Sequence, residues 1–151
     1  MDRFNKKILE ILANEGRLPI THLAERVGIS KSPCQARVKK LEDEGYIVGY
    51  KAQLSYAKLG QELVAYVQVT MSDTREAALS AFDKAVLDLP EVEECYMIAG
   101  GFDYLLKIRT TDMQTYRRVL GESISSLPHV ASSSTFVSMQ AVKEHLSLIH
   151  I

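Results

Sequence analysis

Cysteine is scarce, with only Cys34 and Cys95 in 151 residues. That is too few for a disulfide framework. Cys34 falls on the inner side of a helical pattern and Cys95 in a strand-like run, so both read as small buried hydrophobes rather than a redox pair. No apolar stretch approaches the ~18 residues of a membrane span, and the N-terminus lacks the apolar core of a signal peptide. The expectation is a soluble, cytoplasmic protein with no membrane partner. His22, His129, His145 and His150 show no metal-ligand spacing. A Ser-His-Asp or Cys-His pairing, a glycine-rich phosphate loop and paired carboxylates in an apolar setting are all missing. Glu93 and Glu94 lie in or near a strand, which sends their carboxylates to opposite sides. No catalytic residue, metal or cofactor is therefore expected.

Net charge is also small, at −1, which by itself argues against nucleic acid. Its distribution says more. Residues 1–51 carry ten Lys and Arg against seven Asp and Glu, and residues 52–151 carry eight against twelve. A mildly basic head on an acidic body suits a head that meets phosphates. So small an excess implies weak binding by one copy, and hence a dimer or larger assembly whose contacts add through effective concentration. Apolar residues make up 46% and charged residues 25%, a globular composition.

Residues 18–45, LPITHLAERVGISKSPCQARVKKLEDEG, organise the chain as two short helices joined by a tight turn. Thr21 is expected to cap the first, which carries Leu23, Ala24 and Val27 on one side. Gly28 stops it, because glycine enters the left-handed region without steric cost. Ser30 or Ser32 caps the second, with Pro33 in its first turn. Cys34, Val38 and Leu41 share one buried side. Ser32, Gln35, Ala36, Lys39 and Lys40 point the other way. That polar, basic, small-residue face is what a helix needs to lie in a major groove. The expected DNA contacts are Ser30, Lys31, Ser32, Gln35, Ala36, Lys39 and Lys40. The plain alternative is a solvated surface helix. Arg37, beside the buried face, reads as a structural ion pair or a backbone contact. The acidic run Glu42-Asp43-Glu44 reads as a solvated helix end.

Upstream, Asp2 can cap a helix to about Asn14, with Phe4, Ile8, Ile11 and Leu12 as its stripe and Gly16 past its end. The head is then residues 1–50. Tyr46 to Tyr50 reads as a strand leaving it, and residues 51–61 as a linker with Ser55 and Gly60 as breakers. The body follows over residues 62–145. LVAYVQVTM is a strand with Leu63, Ala65, Val67, Val69 and Met71 on its apolar side. Asp73 or Thr74 caps a helix with Ala78, Phe82, Ala85 and Leu89 inward, ended by Pro90. VEECYMIAG and DYLLKIRTT form a hairpin around Gly100-Gly101. A helix from Met113 to Ser126 turns Tyr116, Val119, Leu120 and Ile124 inward, and Pro128 follows. VASSSTFVSMQAV is the last strand, whose small polar side (Ser132, Ser134) can face another copy. The order βαββαβ is the split βαβ, ferredoxin-like pattern: an antiparallel sheet with helices on one face. The fold class is α+β.

The final residues, 146–151, fit nothing upstream. They could be read from the codons CTG TCT CTT ATA CAC ATC, a string that matches the transposon end used to build sequencing libraries. The tail is expected to be adapter read-through, with the natural C-terminus missing.

A winged-type helix-turn-helix head, a linking strand and a βαββαβ body resemble the Lrp/AsnC, or feast/famine, family of prokaryotic transcription regulators. The most specific parts are LAERVGISKSPCQARVKKLEDEGYIVGY and AGGFDYLLKI. The resemblance covers residues 2 to 145. It implies a head that binds double-stranded DNA and a body that dimerises through its sheet. It also implies an amino acid or related effector bound between subunits, and dimers that assemble into octamers. The family pattern places the effector at Ala99, Gly100, Gly101 and Asp103. Physically, Gly100-Gly101 bares backbone N–H groups for a carboxylate, and Asp103 can pair with an α-ammonium. The same residues also suit a plain hairpin turn. Two rivals stand beside this reading. Sirohaem decarboxylases resemble the family, yet would need basic and histidine residues in a body that here is acidic. The other is a ligand-binding or assembly module that does not bind DNA.

Overall fold

The computed structural model describes residues 1–144. Residues 145–151, including His145, His150 and the suspected adapter tail, lie outside the described part. The chain divides into two compact units, one over Met1–Gln53 and the other over Leu54–Val142.

The first unit is three helices, α1 (Arg3–Asn14), α2 (Ile20–Val27) and α3 (Lys31–Asp43). Asp2 caps α1 by accepting from the Asn5 N–H at 2.9 Å, which satisfies one of the orphan donors of the first turn. Ile8 and Ile11 of α1, Leu23, Ala24 and Val27 of α2, and Cys34 and Leu41 of α3 close one buried cluster. Phe4, Leu12 and Val38 pack at its margin. Gly28 terminates α2 at φ 87°, a left-handed conformation that suits glycine.

Two expectations fail in this unit. Thr21 does not cap α2. Pro19 holds that position, and its carbonyl accepts from the Leu23 N–H at 3.0 Å, so the helix starts earlier and Thr21 sits inside its first turn. Residues 46–50 form no strand. Among the described residues no strand pairs with them, and β-propensity yields a strand only where a ladder partner lies alongside. Ser30, rather than Ser32, is the cap residue of α3, and it acts through its backbone, whose carbonyl accepts from the Cys34 N–H.

The second unit holds β1 (Leu63–Met71), α4 (Glu76–Leu87), β2 (Val92–Met97), β3 (Tyr104–Thr110), α5 (Met113–Val119) and β4 (Val130–Val137). The sheet order is β2-β3-β1-β4, with every pair antiparallel. This is the split βαβ topology, in which β1 and β3 are central. Ala65, Val67, Val69 and Met71 of β1 join Tyr104, Leu106 and Ile108 of β3 on the covered side, against Phe82 and Val86 of α4 and Tyr116, Val119 and Ile124. The other side carries Tyr66, Gln68 and Thr70 opposite Phe136, Ser134 and Ser132. No helix of this unit covers that side, and Tyr66 and Phe136 are exposed.

Differences here are local. Neither Asp73 nor Thr74 caps α4. Arg75 occupies the position, and Asp73 instead accepts from the Arg75 N–H at 2.9 Å in a tight turn before the helix. Val86 is buried in α4, whereas Ala85 and Leu89 are half-buried. The helix expected over residues 113–126 is α-helical only to Val119 and continues as a π-helical turn, Leu120–Ile124. The last strand stops at Val137, not residue 142. Its partner β1 starts at Leu63, and the Ser138 N–H to Val64 bond at 2.9 Å is the last rung. The expected linker is partly structured: residues 55–61 form a turn closed by Leu59 N–H to Ser55 and Gln61 N–H to Tyr56.

Candidate DNA-binding helix and effector turn

Helix α3 gains its outward face from what its inner face is tied to. Cys34 and Leu41 are fully enclosed. Burial pushes the Cys34 thiol up, so it stays a neutral hydrophobe. Arg37 resolves as the structural ion pair: it donates to Asp2 Oδ2 at 2.7 Å and to Asn5 Oδ1 at 2.9 Å, beside the Phe4 ring. Asp2 thus caps α1 and holds α3. Its hydrogen bond from Asn5, then Arg37, keeps its carboxyl below the ordinary value. The sequence reading found the cap and missed the second role, because nothing local connects residues so far apart in the chain.

The remaining face carries no large apolar group. Ser30, Lys31, Ser32, Gln35, Ala36, Lys39 and Lys40 are all exposed. At about 100° per residue, Ser32, Gln35, Ala36 and Lys39 centre the face, with Lys31 and Lys40 on opposite flanks. Small and amide groups, joined by the Lys39 amine, lie in the middle and the Lys31 and Lys40 amines at the rims, an order that suits a groove with bases at its floor and phosphates along its walls. Lys39 meets Asp43 at 3.3 Å and Lys40 meets Glu44 at 3.7 Å. Both amines remain about three-quarters exposed, and such i,i+4 surface pairs contribute only about 0.3–0.5 kcal/mol, too little to keep a lysine from a phosphate.

The body offers a second feature at one end of its sheet. Residues 98–103 join β2 to β3, closed by the Ile98 N–H to Asp103 carbonyl bond at 2.8 Å. Ala99, Gly100 and Gly101 are exposed, and Asp103 is half-buried. Asp103 does structural work: its N–H donates to the Val69 carbonyl at 2.9 Å, and its Oδ2 accepts from the Met71 N–H at 2.7 Å. One carboxylate oxygen is therefore engaged with β1, and Oδ1 makes no hydrogen bond among the described residues. A methyl group added at Gly101 would meet nothing within 4 Å, and its φ is not left-handed, so space rather than strain is what this glycine provides. His129, at the start of β4 beside this end, has φ 61°, and its carbonyl accepts from both the N–H and the hydroxyl of Ser72. Nothing in the sequence pattern marked it.

Two family models match. The winged helix-turn-helix DNA-binding model covers residues 1–48, and the Lrp/AsnC ligand-binding domain model covers residues 64–148. The chain belongs to the Lrp/AsnC family. It is 58% identical over 144 residues to a proline dehydrogenase transcriptional activator of Rhizobium radiobacter, covering 95% of this chain and 92% of that one. It is 40% identical over 149 residues to the leucine-responsive regulatory protein of Escherichia coli, covering 99% and 91%. Among solved structures it is similar to a Neisseria meningitidis transcriptional regulator in complex with L-methionine, at 33% identity and a TM-score of 0.93 over 98% of this chain and 96% of that one. An AsnC-family regulator from Agrobacterium tumefaciens gives the same TM-score at 30% identity, over the same shares of the two chains. As a member of this family the protein is a transcription regulator with a DNA-binding head and a ligand-binding body, not an enzyme. Among the described residues no helix is long and apolar enough to cross a membrane.

Proposed function

We propose that the protein is a cytoplasmic, sequence-specific regulator that binds DNA as at least a dimer and responds to an amino acid held at Ala99, Gly100, Gly101 and Asp103 between subunits. The observation that carries this is the outward face of α3, polar at its centre and basic at both rims, on a chain that is 58% identical to a named transcriptional activator. Gln35 reads a base edge; Lys31, Lys39 and Lys40 hold phosphates; Ser30, Ser32 and Ala36 allow close approach. Paired heads compensate for the small positive charge of each. The uncovered sheet side around Tyr66, Ser132, Ser134 and Phe136 supplies the surface for pairing.

At the effector turn, exposed N–H groups of Gly100 and Gly101 take the carboxylate, and the unengaged oxygen of Asp103 takes the ammonium. A ligand that touches two chains binds one assembly better than another, and only that difference moves DNA affinity. Proline is the first effector to try, given the activator of proline dehydrogenase to which the chain is similar. The test is selection of bound duplexes from a random DNA library, then gel shift on the winners with and without proline. A near-palindrome with half-sites about one turn apart, or a multiple of it, is expected. Recovery of no preferred duplex at low salt would overturn the DNA reading; a shift unaffected by any of the twenty amino acids would overturn the effector reading.

A further inference from the structure

The chain between head and body is pinned at both ends by tyrosines. In the head, the Tyr50 hydroxyl donates to Glu42 Oε1 at 2.8 Å, and its ring lies against Gly16, 3.5 Å from where a Cβ would stand. Burial and the Glu42 carboxylate push that phenol up to about 12, so it remains a donor. In the body, the Arg109 guanidinium stacks over the Tyr56 ring at 3.8 Å from its centroid. Arg109 is held in turn: its Nε donates to Glu93 Oε1 at 2.7 Å and a terminal nitrogen donates to the Gln61 carbonyl at 3.4 Å. Lys107 adds a second cation to Glu93 at 3.4 Å. The Arg109 side chain is 7% exposed, so this stack is shielded from water, where a cation–π contact is strongest. The turn over residues 55–61 is thereby fastened to β2 and β3.

We infer that Tyr56, seated on Arg109, is a positioning residue that shortens the tether between body and DNA-binding head. With it in place the stretch between the two tyrosine anchors is residues 51–55; without it that stretch extends to residue 61. At ~3.3–3.6 Å per residue the reach rises from about 17 Å to about 37 Å. This matters only if heads act in pairs, so the inference rests on the dimeric reading above. A short tether keeps the second head concentrated near its half-site and rejects half-sites at the wrong spacing; a long one does neither.

The experiment uses the full chain and the duplex that wild type selects from a random library. Affinity is measured for that duplex, for the same duplex with one half-site scrambled, and for one with roughly 5 bp, about half a helical turn, inserted between the halves. The gain from the second half-site is the quantity read. Tyr56→Ala should lower that gain about threefold at the selected spacing, from the −3/2 power of tether length. It should keep most of its remaining gain on the inserted duplex, where wild type should lose nearly all. Tyr56→Leu, which keeps apolar bulk but no ring face, should behave like Tyr56→Ala, and Tyr56→Phe like wild type. Variants whose gain follows wild type on both duplexes would overturn the inference. So would equal weakening on the one-half duplex with wild-type spacing dependence, since that marks a merely structural residue. A wild type with no gain from its second half-site would sink the paired-head reading, and this inference with it.

Discussion

Asp103 is expected to serve two partners, and substitutions can separate them. Its Oδ2 accepts from the Met71 N–H at 2.7 Å, while the proposed ammonium contact uses the other oxygen. Asp103→Ala removes both and leaves a half-buried N–H without its acceptor, at a cost of about 1–3 kcal/mol. At roughly 2–4 °C per kcal/mol for a chain of this size, melting should fall by about 2–12 °C. Loss of effector response in that variant would then be ambiguous. Asp103→Asn keeps a carbonyl oxygen for Met71 and replaces the other, charged acceptor oxygen with an NH2 group that can only donate. Its melting temperature should stay near wild type. A charge-assisted hydrogen bond contributes about 1.5–3 kcal/mol, so amino-acid binding should weaken roughly 10- to 150-fold. Calorimetry with proline, and then with the remaining amino acids, reads the second quantity; differential scanning reads the first. If Asp103→Asn binds the amino acid as tightly as wild type, Asp103 is only a strap between the hairpin and β1, and the ammonium partner lies elsewhere.

Further outcomes follow from other named residues. Gln35→Ala should cost about 1–3 kcal/mol on the preferred duplex and relax preference at one base position, whereas Lys40→Ala should weaken all sequences alike and lower the salt slope by about 1; an unchanged slope in gel shifts at graded salt would remove Lys40 from the phosphate contacts. His129→Gly should raise unfolding free energy by about 0.5–1 kcal/mol in denaturant titration, because glycine adopts the φ of 61° found there without strain; a loss instead would mean that the imidazole makes a contact outweighing the strain. Asp73 is held at about 2, below the ordinary 3.8, by its hydrogen bonds from the Arg75 side chain and backbone. The folded-state value is lowered, so its contribution is present above pH 3.8 and lost as pH falls through about 2. Arg75→Ala should move the Asp73 carboxyl midpoint upward in carbon NMR, and an unmoved midpoint would discard the pairing.

What was legible in the sequence was what local periodicity controls. The stripes Ile8/Ile11, Leu23/Ala24/Val27 and Cys34/Leu41 all close on one core, because a helix repeats every 3.6 residues whatever surrounds it. The alternation in LVAYVQVTM likewise put Ala65, Val67 and Val69 on the covered side of β1. Boundaries were less legible where two residues competed. Pro19 took the N-cap position from Thr21 because its fixed φ already suits the preceding turn. The π-helical turn at Leu120–Ile124 left no trace in the apolar spacing, since Tyr116, Val119 and Ile124 face inward in either geometry.

The site was legible in its exposed residues and opaque in its supports. The face of α3 follows from one helix alone, so the exposure of Gln35, Lys39 and Lys40 could be expected without knowing the fold. Arg37 on Asp2, Asp103 on Met71 and Arg109 on Tyr56 join residues separated by 35, 32 and 53 positions. No spacing rule reaches that far, because such pairs exist only after the chain has closed. The same fact explains why residues 46–50 looked like a strand: Tyr46, Ile47, Val48 and Tyr50 have the propensity, and propensity is blind to whether a neighbour is present. Tyr46, Val48 and Tyr50 remain substantially exposed in one chain. Their apolar character therefore counts on the side of assembly, as does the open sheet side at Tyr66 and Phe136. On the proposed dimeric reading, where DNA affinity follows the number of heads presented together, both surfaces have a use, so the feature that misled the single-chain reading is one that the dimeric reading calls for.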